Sequence, residues 1–155
     1  MQAPYPIWSL STKNKDNETN MNICSYVVPI SMKPKEFMVA LYYNTQTYEN
    51  VRATRRGCLQ LLAHDQYNLV RPLGKVSART KSHKLKKLYA TDAITTWHHW
   101  DVLRNVIGYV ELEFYDIQKT TTDHAIGYAR MITYRMLRDD DVLMTRDLYD
   151  RGIIG

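Results

Sequence analysis

The sequence has few cysteines and no long apolar run. Its two cysteines, Cys24 and Cys58, do not form a CxxC pair, so a disulfide framework and a zinc site have little support and both thiols are expected in the core. The longest purely apolar run, residues 37–43, has seven residues. A membrane-spanning helix needs about 20, so no membrane segment is expected.

Several catalytic signatures are also missing. The six glycines lie scattered at positions 57, 74, 108, 127, 152 and 155. They form neither a phosphate-binding loop nor a dinucleotide fingerprint, and no nucleophile elbow is present, which removes the main support for a kinase or a hydrolase. The N-terminus lacks the basic start and apolar middle of a secretory signal, so we expect a cytoplasmic protein.

Length and composition indicate one ordinary globular domain. The chain has 155 residues, of which 45% are apolar and 24% are charged, and this length is that of about one average domain. We therefore expect a single domain over residues 1–155. Because residues 11–22 are polar and rich in turn formers, residues 1–22 are expected to form a leading arm, with 139–155 as a tail.

The net charge of +5 is distributed unevenly. Seven basic residues and no acidic ones fall between positions 71 and 90: Arg71, Lys75, Arg79, Lys81, Lys84, Lys86 and Lys87. A basic run suits either nucleic acid or a small molecule that carries phosphate. Single-strand binding surfaces interleave aromatic side chains for base stacking, and because this run lacks that pattern we expect no nucleic acid.

Short β-branched and aromatic segments predict a mainly β fold. Residues 24–31 and 37–43 are predicted as strands joined by a turn at 33–35. A helix is predicted from an N-cap at Thr47 to residue 56, with Gly57 as its stop, before a strand over 58–63. Further short helices are predicted at 65–70 and 82–89.

The second half of the chain predicts two longer strands. In residues 107–117 apolar and polar side chains alternate with period 2, which predicts a strand with Glu111 and Glu113 on its solvent-exposed face. Residues 124–136 form a β-branched and aromatic run. The fold class expected from these elements is a small antiparallel β-barrel with short helical additions.

Five segments, taken in order, resemble a known family. They are Ser25-Tyr-Val-Val-Pro-Ile-Ser31, residues 37–47, residues 57–62, Gly74-Lys-Val-Ser-Ala-Arg79, and Asp123-His124 before Gly127. Together they are similar to the flavin reductase-like family of FMN-binding split barrels and cover most of residues 20–136. Ile23 and Cys24 depart from the family's usual Thr and Ala, and Ala78 replaces its usual Gly.

The resemblance implies FMN as cofactor, with FAD left open, and NADH or NADPH as electron donor. Twelve site residues follow from it: His124 as the catalytic candidate, and Asn22, Ile23, Cys24, Ser25, Tyr26, Tyr42, Asn44, Thr47, Ser77, Arg79 and Lys84 as cofactor-binding candidates. Asn44 and Thr47 would meet the phosphate at a helix start. Residues 22–26 would lie along the ring, and Ser77, Arg79 and Lys84 would supply hydrogen bonds and charge.

Some of these residues also have plain structural interpretations. Thr47 is also typical of an ordinary N-cap, and Lys84 is equally compatible with a solvent-exposed position. Residues 97–100 are interpreted either as an aromatic lid over the ring or as a loop packed on the core. The implied function is hydride transfer from NAD(P)H to flavin, and a non-catalytic flavin-binding or electron-carrier module is the alternative. A homodimer is expected for two reasons. The resemblance implies two split barrels whose flavins lie near a shared interface. The 12 tyrosines and three tryptophans are also residue types that are enriched at interfaces.

Overall fold

The computed structural model describes residues 3–75 and 83–155, so the site predictions at Ser77 and Arg79 lie outside the described residues. The strands are β1 Trp8–Lys13, β2 Thr19–Cys24, β3 Val27–Met32, β4 Lys35–Tyr42, β5 Arg56–Leu61, β6 Ile94–Trp97, β7 Trp100–Leu103, β8 Gly108–Gln118 and β9 His124–Met136. The helices are α1 Gln46–Thr54, α2 Val70–Gly74, α3 Lys86–Ala90 and α4 Thr145–Asp150, with a 3-10 helix at His64–Leu69. None of the helices in these ranges is long and apolar enough to cross a membrane.

Seven strands form one antiparallel sheet in the order β2-β1-β5-β8-β9-β4-β3, and β6 and β7 form a separate hairpin. The predicted mainly β class with short helices is confirmed. The two outermost strands, β2 and β3, follow each other in the chain but do not pair, so the sheet is split and does not close into a barrel.

The expected leading arm is wrong, because most of residues 8–24 belongs to the sheet. Strands β1 and β2 pair in a hairpin, with only residues 14–18 as the turn. Leu10 and Met21 are fully buried. Several polar side chains that suggested a loop are buried, among them Ser11, Thr12 and Asn20. Ser11, for example, donates to the carbonyl oxygen of Asp101 at 2.7 Å.

The expected C-terminal tail also packs against the body. Leu143 and Leu148 are buried, and the Leu143 carbonyl accepts a hydrogen bond from the amide of Ile7. Residues 139–155 contain five aspartates, but the apolar side chains of this segment join the core that surrounds Trp100.

Both predicted ends of α1 are wrong by one or two residues. Thr45 is the N-cap, since its hydroxyl accepts a hydrogen bond from the amide of Tyr48. The helix ends at Thr54, and the C-cap residue Arg55 takes the left-handed conformation with φ 59°. Gly57 lies in β5, where an added Cβ would be 2.9 Å from Leu10 Cδ1, so close packing against β1 accounts for this glycine.

Glu111 is buried, which overturns the solvent-facing position that alternation predicted. The ladder between β8 and β9 shifts register after Glu111, and this irregularity buries both Glu111 and Leu112. The β6–β7 hairpin brings His98 Nδ1 and His99 Nε2 each within 3.7 Å of the Glu111 carboxylate. Burial raises the pKa of Glu111, but the Arg56 hydrogen bond and the nearby Trp100 indole N–H and positive charges hold it below its usual value.

The aromatic residues of the same hairpin belong to the core. Trp97 and Trp100 are buried, and Trp97 stacks between His98 and Tyr109 with ring centroids 4.3 and 5.3 Å away. Of the two interpretations left open for residues 97–100, core packing is therefore confirmed for the two tryptophans, whereas the His98 and His99 side chains are more than half exposed.

Candidate functional site

One cavity of about 860 Å³ opens where the ends of several strands and helices meet. Strand β2 and the connection to β3 form one wall, and the turn that leads from β4 into α1 forms another. Tyr42 and His124 enter from neighbouring strands, since they are register partners in the β4–β9 pair. The end of α2 and Lys84 complete the lining.

The structure brings ten of the twelve predicted site residues to this cavity. They are Asn22, Ile23, Cys24, Ser25, Tyr26, Tyr42, Asn44, Thr47, Lys84 and His124. The remaining two, Ser77 and Arg79, lie outside the described residues.

The prediction of site residues missed several residues that line the cavity. They include Asn20, Gln46 and Lys75. Period-2 alternation places Asn20 on the same face of β2 as Asn22, which is the sequence signal that would have identified it. Lys75 belongs to the basic run, whereas Gln46 carries no local signal.

Aromatic rings form one side of the cavity. The His124 ring lies 5.5 Å from the Tyr26 ring and 5.3 Å from the Tyr42 ring, measured between centroids. Tyr26 is 54% exposed and Tyr42 is 45% exposed. Exposed aromatic rings around an imidazole offer flat apolar area with polar tips, which suits contact with a planar heterocycle.

Asp123 orients the His124 imidazole. Its Oδ1 atom lies 2.7 Å from His124 Nδ1. This hydrogen bond, together with the charge of a protonated imidazole, holds the pKa of Asp123 below its usual value, so the carboxylate accepts and Nδ1 donates. Nε2 is then the ring atom that remains for a ligand.

Buried polar side chains fix the start of α1 against β1 and β2. Asn20 Nδ2 donates to Thr47 Oγ1 at 3.0 Å, and Asn50 Nδ2 donates to Thr12 Oγ1 at 3.1 Å. All four residues are buried. The first turn of α1 therefore faces the cavity in a fixed orientation, with the positive end of the helix dipole at the cavity.

Two cationic side chains lie at the same cavity. Lys75 is exposed, whereas burial lowers the pKa of Lys84 to about 8. A partly desolvated ammonium group gains more from an anionic ligand than a fully hydrated one does, so Lys84 is the stronger candidate for contact with an anion.

Covalent catalysis and metal chemistry find no support here. Burial raises the pKa of the Cys24 thiol to about 12, so it is protonated at neutral pH and is a poor nucleophile. Among the residues that the structure describes, no group of three or more His, Cys, Asp or Glu is placed to hold a metal ion. The arrangement is suited to binding a large ligand with a flat part and an anionic part.

One family model matches nearly the whole chain. The model of the flavin reductase like domain matches residues 1–152. No curated protein matches the chain.

Solved structures share the fold at low identity. The flavin reductase of styrene monooxygenase from Pseudomonas putida S12 is 18% identical, with a TM-score of 0.75 over 92% of this chain and 86% of that one. The NADH:FAD oxidoreductase of Streptomyces globisporus C-1027 is 10% identical, with a TM-score of 0.80 over 92% and 82%. An FMN-binding protein from Thermus thermophilus is 18% identical, with a TM-score of 0.74 over 86% and 71%.

Proposed function

The chain belongs to the flavin reductase-like family, and from that premise we propose that it binds FMN and reduces it with NADH or NADPH in the cytoplasm. The observation that carries the proposal is the convergence of cations, a helix start and aromatic rings on one cavity of about 860 Å³. That volume lies within the range of about 300–1,000 Å³ that small-molecule pockets occupy.

The phosphate of FMN would bind at the start of α1. Asn44 and Thr47 line the cavity there, and backbone N–H groups at a helix start attract anions. Thr47 already accepts a hydrogen bond from Asn20, so its own hydroxyl hydrogen is available to the ligand. Lys84 would supply the compensating positive charge, with Ser77 and Arg79 proposed from sequence alone.

The ring of FMN would lie along β2, beside Tyr26 and Tyr42. Strand β2 is the outermost strand of the sheet, so the N–H and C=O groups on its outer edge have no strand partner in the described ranges. Such groups match the alternating donors and acceptors at the polar edge of the flavin ring. Ile23 and Cys24 can contribute through their backbone, which compensates for the hydroxyl that the family usually has there.

The chemistry that a bound flavin supplies is acceptance of a hydride from a reduced nicotinamide. The chain's own residues bind and orient the two rings. His124 lines the cavity and is held by Asp123 at 2.7 Å, so its Nε2 atom would be available to a nicotinamide that approaches the flavin. Its proposed catalytic role is to position that second ring.

Spectroscopy of the purified protein tests this proposal. Titration of the apoprotein with FMN should quench flavin fluorescence, and anaerobic NADH or NADPH should bleach the absorbance of the bound flavin. FAD titrated in parallel settles the choice of flavin. Absence of any binding signal at high micromolar FMN would refute the proposal, and binding without bleaching by either nicotinamide would favour the electron-carrier alternative.

The role of His124 has a sharper test. His124→Asn keeps a polar side chain but removes the ring that contacts Tyr26 and Tyr42. We expect the KM for the nicotinamide to rise while the Kd for FMN changes little. A variant that loses FMN affinity and keeps its nicotinamide KM would place His124 against the flavin instead.

We also propose that the protein is a homodimer. Apolar side chains lie exposed on β3 and on the second half of β9, two places apart in the sheet; they are Val28, Ile30, Met32, Ile132, Tyr134 and Met136. Exposed apolar area of this kind is typical of an interaction surface. Light scattering coupled to size exclusion should give twice the mass of 18.2 kDa.

A substitution on β3 provides the control for the dimer. Met32 is 85% exposed, so Met32→Lys places a charge on this surface without disturbing the core. The variant should shift toward the monomer mass at low micromolar concentration. A wild-type mass near 18.2 kDa with flavin bound would refute the dimer.

A further inference from the structure

Asn20 lines the cavity and carries a side-chain acceptor without a hydrogen-bond partner. The residue is 5% exposed, and its Nδ2 donates to Thr47 Oγ1 at 3.0 Å. Its Oδ1 is shielded from solvent and accepts no hydrogen bond from any described residue, although Asn20 lines the cavity. Within residues 3–75 and 83–155, two other buried side-chain atoms lack partners, on Arg56 and Trp100, but both residues lie beside Glu111.

A buried carbonyl oxygen without a donor is costly, because folding has removed its hydrogen bond to water. A ligand that enters the cavity can restore that bond only with an O–H or N–H group. A phosphate dianion cannot do so, because its oxygens are acceptors and repel the amide oxygen. The complementary group is therefore an O–H or N–H donor other than the phosphate, and it must come within reach of Asn20 Oδ1.

In a flavin nucleotide, the hydroxyl-bearing ribityl chain lies between the phosphate and the ring. With the phosphate at the start of α1 and the ring along β2, the cavity wall between them includes Asn20. We infer that Asn20 Oδ1 accepts a hydrogen bond from a ribityl hydroxyl and that it selects flavins with a polyol chain over the bare ring. This inference rests on the proposed function, because it assumes a flavin in this orientation.

Lumiflavin, which has a methyl group in place of the ribityl chain, provides the test. Asn20→Leu has a similar volume but no acceptor. We expect its Kd for riboflavin to rise about tenfold to a hundredfold, the cost of one buried hydrogen bond, while its Kd for lumiflavin stays within about twofold of wild type. Riboflavin carries no phosphate, so this comparison isolates the polyol from the anion.

Asn50→Leu is the matched control. Asn50 is equally buried in the polar layer beneath α1, but both ends of its amide are already paired, with Gln46 and Thr12. Any effect of this variant on stability should change the riboflavin and lumiflavin affinities by the same factor. Circular dichroism melting of all three proteins separates loss of folding from loss of binding.

Asn20→Ser supplies a second variant if Asn20→Leu does not fold, since its short hydroxyl cannot reach the same point. The inference fails if riboflavin affinity is unchanged in a folded variant, if both ligands lose affinity equally, or if the wild type binds riboflavin no more tightly than lumiflavin. Failure of the proposed function is a distinct result, in which the wild type binds neither FMN nor riboflavin nor lumiflavin.

Discussion

Arg56 Nη2 donates a hydrogen bond of 2.6 Å to Glu111 Oε1, from β5 to the neighbouring strand β8. The Glu111 side chain is 4% exposed and the Arg56 side chain is 37% exposed. The pair therefore joins a buried carboxylate to a guanidinium that still reaches solvent. Because the β6–β7 hairpin covers the same carboxylate, the pair lies beneath a second layer of structure.

Removal of Arg56 should destabilise the protein strongly. Arg56→Met leaves Glu111 as a buried charge without its main partner, and we expect a loss of about 3 kcal/mol in the free energy of unfolding, measured by urea titration. Arg56→Met combined with Glu111→Leu removes both charges and should recover most of that loss. Equal destabilisation in the single and double variants would contradict this account.

Acid should weaken the same interaction. The folded-state pKa of Glu111 lies below its usual value of 4.5, so the ion pair contributes its full stability above that value and loses it as pH falls through the folded-state pKa. We expect the melting temperature of wild type to fall more steeply than that of Glu111→Gln below pH 4.5. Parallel curves would show that Glu111 does not contribute to acid sensitivity.

Lys84 should also make stability rise with pH, but in the alkaline range. Burial lowers its pKa to about 8 from 10.5, so between these values the unfolded chain holds a proton that the folded chain has released. Stability of the ligand-free protein should therefore rise with pH across this window relative to Lys84→Met, measured by thermal melts. Identical pH profiles for the two proteins would show that Lys84 does not contribute to the pH dependence of stability.

FMN affinity gives an independent measure of Lys84. If its ammonium contacts the phosphate, affinity should fall up to tenfold per pH unit above about 8, because each binding event then takes up one proton. Lys84→Arg stays protonated and should keep its affinity across that range. Riboflavin, which lacks the phosphate, should show no such dependence with either protein.

Gly127 is required by its neighbour on β8. A Cβ at this position would lie 2.8 Å from both Cδ1 and Cε1 of Phe114, and the buried Phe114 ring has little room to move. Gly127→Ala should cost about 1–3 kcal/mol through overpacking, measured by chemical denaturation. The same substitution in a Phe114→Leu background should cost much less, and an equal cost in both backgrounds would point to the backbone rather than the ring.

The elements predicted well were those with strong local patterns. Strand β9 has the predicted bounds of 124–136, because β-branched and aromatic residues dominate that run. The β1–β2 hairpin was missed because its buried polar side chains are satisfied by distant residues, as Ser11 is by Asp101, 90 positions away. No local window of sequence contains that pairing.

The candidate site likewise includes residues that the sequence predicted and residues that it missed. The candidate residues that line the cavity followed from the resemblance of five ordered segments to the family. Asn20 was not among them, because residues 1–22 were predicted as an arm and not as a strand, and its contact with Thr47 is 27 positions away. Glu111 was assigned to solvent for a related reason, since a register shift between strands cannot be read from one strand alone.

The two outermost strands of the split sheet are tied by the chain itself. Only Ser25 and Tyr26 separate the end of β2 from the start of β3, and a linker of that length spans at most about 11 Å between flanking Cα atoms. The two edges of the sheet are therefore held together by this short linker and not by hydrogen bonds between β2 and β3. A circular permutant opened between Ser25 and Tyr26 would keep every strand pair yet free the two edges to move apart, which would widen the cavity whose wall these two residues form.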